Sequence, residues 1–311
     1  MAREWLVIAD DLTGACDAGV QFARCGLATS VMLARDAAPA GARVVAVNTE
    51  SRHMDEDAAE AAVAAVADWI TARAVFKKID SVLRGNPGAE IAAAMRAFGC
   101  EAAVATPAFP AMGRAVNAGN GGEVFRSLRS DLHAAPGAVA EALAAGARVI
   151  SADAECDADL DAIVSGGMAS GRRILWAGSG GLAGALARRS ESTGRQATKG
   201  DRLSRLVFCI GTDHAVTGAQ VAELRRTRPS SVIVPLGAVP ECGVLVLSGG
   251  DTAAAVCREA GARRIDLCDE ILPGIPWGIL RCGRFDGVPV VTKSGGFGAP
   301  DALLRVAEFF E

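Results

Sequence analysis

WLVIADDLTGACDAG (residues 5–19) is the stretch from which the rest of the chain is read. Trp5 to Ala9 are apolar without alternation, which predicts a strand buried on both faces, because a strand with one wet face would alternate. Asp10 and Asp11 end that run, and Thr13-Gly14 opens an amphipathic helix over 13–26. A strand feeding directly into a helix begins a βαβ unit, and such parallel sheets take ligands beyond the carboxyl ends of their strands. One aspartate there would cap the helix. Two adjacent acids, with Asp17 a helical turn later, exceed what capping needs.

The same alternation continues outward. ATSVML (28–33) and ARVVAVN (42–48) read as strands, 55–72 as a helix, AVFKKI (74–79) as a strand, 88–98 as a helix and EAAVATPAF (101–109) as a strand. RRSESTGRQATKGDRLS (188–204) is poor in apolar residues and carries Gly, Ser and both signs of charge, the composition of a linker. Beyond it, RLVFCIG (205–211), VIVPL (232–236), GVLVLSGG (243–250) and VPVVTKSGG (288–296) predict strands. Helices are predicted at 215–227, 252–260 and 300–310. The expected fold is α/β, with two α/β domains whose largely parallel sheets face each other across a cleft. Residues 1–190 form the first domain, 191–204 the linker and 205–311 the second.

Composition narrows the function. The 311 residues are half hydrophobic and 22% charged, enough apolar surface for a sizeable core. Thirty-two basic and 36 acidic residues leave a net charge of −4, Tyr is absent, and no basic run interleaves with aromatics. A nucleic-acid partner is not expected. No apolar run is long enough for a membrane span, and MAREWLVIADD reaches acid too early for a signal peptide. Nine cysteines without a CxxC pair read as reduced thiols, so the expected location is cytoplasmic.

The polar motifs begin where the apolar runs stop. NTESRH (48–53) places Arg52 at a strand end, where a guanidinium can clamp a carboxylate. KKIDSVLRGNPGAE (77–90) delivers Lys78, Asp80, Ser81 and Arg84 into one glycine-bounded loop. There Arg offers a planar fork to a carboxylate, Ser and Asp can take hydroxyls, and Lys can neutralise an anion. LSGGDTAAAV (247–256) and TKSGGFGAP (292–300) each run a strand into glycines and a helix, exposing backbone N–H groups to an anion, normally phosphate. Neither fits GxxxxGK[ST] or GxGxxG.

Taken in order, ADDLTGACDAGVQFA (9–23), KKIDSVLRGNPGAE (77–90), PAFPAMGR (107–114), WAGSGGLAGALA (176–187), SGGDTAAAV (248–256) and VTKSGGFGAPDAL (291–303) resemble the four-carbon acid sugar kinases. The resemblance runs from Trp5 to the last helix. It implies an N-terminal domain for a tetronate-type sugar acid and a C-terminal domain for ATP with Mg2+. The acid falls on Asp11, Arg52, Asp80, Ser81 and Arg84, and the residues themselves add Asp10 and Lys78, which stand beside these at the strand ends. The nucleotide falls on Thr212, Gly249, Gly250, Asp251, Thr252, Lys293, Ser294, Gly295 and Gly296. Either Asp11 or Asp80 is then the proton acceptor. The metal ligands stay unassigned.

Two departures shape the expectation. Family members are longer, and the shortfall falls at NAGNGGEVFRSLRSD (117–131) and between Gln220 and Gly249. The family's serine-rich turn is here CIGTDHAV (209–216), with Thr212 and His214 at the serine-like positions. The wall over the adenine is expected to be reduced, and a homodimer would let a partner subunit supply it. The alternative to a kinase is a weakened member that holds a sugar acid as a sensor. A third reading is an aldolase or isomerase working through Lys78.

Overall fold

The computed structural model describes residues 3–35, 39–190 and 205–311, so the predicted linker 191–204 lies outside the described residues. The N-terminal half runs β1 (Arg3–Ala9), α1 (Leu12–Arg24), β2 (Thr29–Met32), β3 (Val44–Asn48), α2 (Glu56–Ala64), β4 (Ala72–Lys78) and α3 (Pro87–Phe98). It continues with β5 (Ala102–Thr106), α4 (Gly121–Ser127), β6 (Leu132–Ala134), α5 (Val139–Ala144), β7 (Val149–Ala152), α6 (Asp157–Ala169), β8 (Ile174–Gly178) and α7 (Gly180–Arg188). The C-terminal half runs β9 (Leu206–Ile210), α8 (Ala215–Thr227), β10 (Val232–Val234), β11 (Val244–Ser248) and α9 (Gly250–Glu259). It closes with β12 (Arg264–Leu272), β13 (Ile275–Arg281), β14 (Pro289–Lys293) and α10 (Ala302–Phe309). The α/β class and its largely parallel strands are as the sequence predicts. The helix predicted over 55–72 is shorter, ending at Ala64 and tightening into a 3₁₀ turn over Ala65–Asp68.

In the N-terminal half β2-β3-β1-β4-β8-β5-β7-β6 are all parallel, and in the C-terminal half β10-β9-β11-β14 are too. The joint between them is the β12–β13 hairpin, in a segment where the sequence reading placed no strand. β13 pairs antiparallel with β14 and β12, and β12 pairs antiparallel with β2 through Asp266↔Ser30, Ile265↔Val31 and Arg264↔Met32. Fourteen strands of the described residues thus make one sheet. Two register shifts in β12, after Leu267 and after Glu270, bend the ribbon locally, as bulges do.

Helix α1 packs across this joint, touching β2 and β3 on one side and β12, β13 and α9 on the other. Gly19 lets it approach, since a Cβ there would stand 2.8 Å from Leu267 Cδ1. The apolar core crosses the joint with it: Leu267, Ile265, Leu245 and Leu247 belong to the same buried cluster as Leu6, Ile8 and Phe22. In β11 the alternate residues Val244 and Val246 turn instead to a second cluster under α10, built on Trp277, Leu303 and Phe310. Both faces of β11 are therefore covered, which is why it reads as a continuous apolar run.

Leu267→Ala should remove roughly 2–5 kcal/mol in urea unfolding, because it opens a cavity between α1 and the hairpin. Leu236→Ala, at a side chain 45% exposed, should stay within about 0.5 kcal/mol. Equal losses at the two positions would contradict the packing described.

Candidate functional site

Three neighbouring strands deliver the first half of the site. β3, β1 and β4 lie side by side with Asn48, Ala9 and Lys78 in register at their carboxyl ends. The next residues along each chain are therefore neighbours: the turn carrying Arg52, the pair Asp10-Asp11, and the loop carrying Asp80. Asp11 caps α1, its Oδ1 accepting from the Gly14 backbone N–H at 2.7 Å and its Oδ2 from Thr13 Oγ1 at 2.8 Å. Arg52 forks onto Asp10 through Nε and NH2, both at 2.8 Å, and reaches Asp11 Oδ2 through NH1 at 2.6 Å. Its NH2 also stands 3.6 Å from Asp80 Oδ2.

Asp10 and Asp80 are both held below the ordinary carboxylate value. Burial works to raise Asp10, but Lys77 and Arg52 outweigh it and hold that carboxyl below its ordinary value. Asp80 is likewise pressed upward by burial and brought well below the carboxylate range by Arg84, Lys78 and Arg52. Its Oδ1 accepts from the Val82 N–H at 2.9 Å, and its Oδ2 accepts from Arg84 NH2 at 2.6 Å. Ser81 Oγ is bound by Arg114. Arg84 leaves 54% of its side chain open, the most accessible of the predicted substrate residues whose ion pairs are described.

Lys77 and Lys78 turn opposite ways from the end of β4. Lys77 is fully buried on Glu90, with Nζ 2.8 Å from Oε2, and Ser51 binds the other oxygen of that carboxylate. Lys78 Nζ donates to the Ile79 carbonyl at 2.9 Å and lies 3.9 Å from Asp17 Oδ2. Asp17 is 3% exposed, and neither of its oxygens has a hydrogen-bond partner. Burial pushes it up to about 7, with Glu270 and Asp11 adding to the rise and Lys78 and Arg114 opposing it.

The C-terminal half brings three loops to this edge. A Cβ on Gly250 would lie 2.5 Å from Asp11 Oδ2, one on Gly211 2.2 Å from Thr252 Oγ1, and one on Gly295 2.6 Å from Thr212 Oγ1. Thr212, Gly249, Gly250, Thr252, Gly295 and Gly296 are thereby gathered around the first turn of α9. Gly249 holds φ +108, which suits glycine and lets the chain turn from β11 straight into that helix. Asp251 points away, its side chain 87% exposed and 3.7 Å from His53 Nε2. Lys293 lies beneath the loop. Its fully buried Nζ donates to the carbonyls of Ser294 at 2.9 Å and Phe297 at 3.1 Å and to Thr217 Oγ1 at 3.2 Å, and burial draws it down to about 8. His214 caps α8, Nδ1 accepting from the Val216 N–H.

A cavity of about 460 Å³ separates the halves, with Asp10, Asp11 and Arg52 on one wall and Gly211, Gly250 and Thr252 on the other. A deeper pocket of about 10 Å³ is lined by Asp17, Lys78, Asp80 and Ser81 and roofed by Ser294 and Phe297. Arg114 comes from TPAFPAMGRAVNAGN (106–120), whose proline and glycine fit a rigid loop lining this cleft, whereas nothing in the sequence points to Phe297 or Glu270 here. Arg114 sits 4.9 Å over the Phe297 ring, and Glu270 accepts from Gln21, Arg24 and the Gly274 N–H. The signal for Arg114 lay in the proline-rich loop, while Phe297 and Glu270 depend on contacts between the halves.

An acid-and-arginine cluster on the N-terminal half thus faces a glycine-lined helix start on the C-terminal half across one cavity. The chain matches a sugar-binding N-terminal domain over residues 5–124 and 123–186 and a nucleotide-binding C-terminal domain over 193–303. It is 31% identical to a D-threonate kinase of Bordetella bronchiseptica, covering 97% of this chain and 96% of that one. It is 30% identical to a D-threonate kinase of Salmonella typhimurium, at 98% of each, and 28% to a D-erythronate kinase of Heliobacterium modesticaldum, at 98% and 96%. A crystal structure from B. bronchiseptica, a domain-swapped dimer with bound citrate, aligns over 98% of each chain at 28% identity and a TM-score of 0.53. A Haemophilus influenzae protein shares the fold at a TM-score of 0.71 and 18% identity, over 98% and 100% of the chains. The chain belongs to the four-carbon acid sugar kinase family. The alignments span 389 to 414 positions for the two D-threonate kinases, more than this chain's 311 residues, so they run through gaps in it.

Asp17→Asn should flatten the pH dependence of stability. The folded-state value of about 7 lies above the ordinary 3.8, so the protonated acid favours folding at low pH and that contribution is lost as pH rises from about 4 through 7. Melting temperatures across this range should diverge, the variant gaining on the parent as pH rises. Parallel profiles would show that Asp17 ionises without penalty.

Proposed function

We propose that the protein transfers the γ-phosphoryl group of ATP to a hydroxyl of a four-carbon sugar acid: a threonate, an erythronate or an oxo-tetronate. The observation that carries this reading is the meeting of the Asp10-Asp11-Arg52-Asp80-Arg84 cluster with the glycine-lined start of α9 across one cavity. Threonate is the first acid to test, because the relatives at 30–31% identity are D-threonate kinases.

In this reading Arg84 receives the acid's carboxylate, and Arg52 fixes the wall behind it through Asp10 and Asp11. Ser81 and Asp80 take hydroxyls, and Lys78 supplies positive charge to the floor. On the other side Thr212, Thr252, Ser294 and the backbone of Gly249, Gly250, Gly295 and Gly296 hold the triphosphate, with Asp251 at the rim. Lys293 keeps its loop in shape from below. The fit is one of space and donors: no side chain could occupy Gly250 or Gly295 without displacing Asp11 or Thr212. Backbone N–H groups at a helix start favour phosphate.

Magnesium would neutralise charge on the β- and γ-phosphates. Among the described residues no group of three or more His, Cys, Asp or Glu side chains could hold a metal ion, and magnesium ordinarily binds through one or two carboxylates with the substrate's phosphates and water. A cytoplasmic location is the one we propose, on nine free cysteines without a CxxC pair. No helix among the described residues is long and apolar enough to cross a membrane. A homodimer is the assembly to look for in solution, given the swapped dimer of the B. bronchiseptica relative.

The test is ADP release with each four-carbon acid in turn. Arg84→Ala should lower kcat/KM for the acid about 30-fold or more, the equivalent of roughly 2 kcal/mol for a lost charge-assisted contact. ADP affinity by calorimetry should be unchanged. Silence with every acid at high enzyme concentration would refute the kinase reading. Loss of ADP binding in the variant would invert the assignment of the two halves.

A further inference from the structure

Four aspartates of the N-terminal half border the cleft, and three are committed. Asp10 gives both oxygens to Arg52. Asp11 caps α1 with one oxygen and gives the other to Thr13 and Arg52. Asp80 accepts from two backbone N–H groups and the Arg84 guanidinium. Asp10 and Asp80, held below their ordinary value by cations and donors, are weak proton acceptors, and both Asp11 oxygens are occupied. Asp17 is buried like the other three and differs in that both its oxygens stand without a hydrogen-bond donor.

The surroundings leave Asp17 one open direction. A Cβ on Gly180 would lie 2.8 Å from its Oδ1 and 2.9 Å from Phe109 Cζ, so α7 and Phe109 close its rear. The charged groups that face it are Lys78 from β4, Glu270 from β12, Asp11 from its own helix and Arg114 from the loop after β5. Its remaining side lines the deep pocket shared with Asp80, Ser81 and Ser294, beside the loop of Gly295 and Gly296. A buried acceptor without a donor is costly, and a hydroxyl entering this pocket would supply the missing donor.

We propose that Asp17 accepts the proton of the hydroxyl that is phosphorylated. The assignment rests on the kinase reading above. As the hydroxyl oxygen forms its bond to the γ-phosphorus, the O–H proton passes to an Asp17 carboxylate oxygen. The bond from the γ-phosphorus to the β,γ-bridging oxygen breaks and ADP leaves. The carboxylic acid returns its proton to water when the product departs. A value near 7 lets the group hold either form at neutral pH, the condition for efficient proton transfer.

The experiment measures kcat between about pH 5.5 and 9 with acid and ATP both saturating, for the parent and for Asp17→Asn. In the parent kcat should rise with pH through a midpoint near 7. In the variant it should be about 100-fold lower or less and lose that rise, while the KM for the acid and the affinity for ADP change less than about threefold. A variant that keeps kcat within about threefold overturns the assignment. So does a variant altered in KM alone, which would make Asp17 a hydroxyl ligand. A parent kcat that is flat over this range overturns it too, whether or not the variant folds. A parent that phosphorylates no acid refutes the kinase reading, and the assignment falls with it.

Discussion

The buried guanidinium of Arg52 is the contact on which the arrangement of the cleft depends. It joins Asp10 and Asp11, from the end of β1, to a turn that follows β3, and it lies within 3.6 Å of Asp80 at the end of β4. Three loops that would otherwise leave the sheet independently are pinned by one side chain that is 10% exposed. Removing a partner from a buried ion pair typically costs roughly 3–5 kcal/mol, because the remaining charge is left without compensation. Here the uncompensated charges would be two adjacent carboxylates. The geometry also explains why burial does not neutralise Asp10: cations from two elements hold it ionised.

The second constraint is the hairpin joint. Because β12 pairs with β2 and with β13, the two parallel blocks share one sheet, and α1 lies over the seam with Asp11 at its first turn and Asp17 further along. Any shift of the C-terminal half relative to the N-terminal half passes through this ribbon. Glu270 sits at its second bulge, where Gln21, Arg24 and the Gly274 N–H converge on it, so the hairpin tip is tied directly to the helix that carries the site. Gly274 in turn packs against Phe297, where a Cβ would come within 2.3 Å of the ring. A chain of contacts thus runs from α1 through the hairpin tip to the roof of the deep pocket.

Much of this was legible in the sequence because the relevant residues are local to strand ends. Asp10, Asp11, Arg52, Asp80 and Arg84 each follow an apolar run, and parallel strands in register make such positions neighbours. The β12–β13 hairpin was not legible. Its bulges break the alternation of RIDLCDEIL, and Asp266, Asp269 and Glu270 make the segment look polar. Asp266 is instead paired with Arg264, Arg281 and Ser30, and Glu270 with Arg24. Lys293 shows a different limit. Its place beside two glycines suggests a phosphate contact, but at the end of a strand a side chain turns to one face or the other, and this one turns inward to the carbonyls of its own loop. The surroundings of Asp17 come from Phe109, Gly180 and Lys78, all more than 50 residues away, so the motif shows the acid without showing that it lacks a hydrogen-bond donor.

The deep pocket also constrains how a substrate reaches that acid. About 10 Å³ is room for one water molecule at most, far less than a four-carbon acid requires. The roof is Phe297, held by the Arg114 guanidinium at 4.9 Å from its ring centre and by an edge contact with Phe109 at 6.3 Å. Each of these is a contact of modest strength, about 0.5–2 kcal/mol. The floor, by contrast, is set by ion pairs and strand ends that a ligand could not displace cheaply. Space for a ligand in this pocket therefore has to come from the roof.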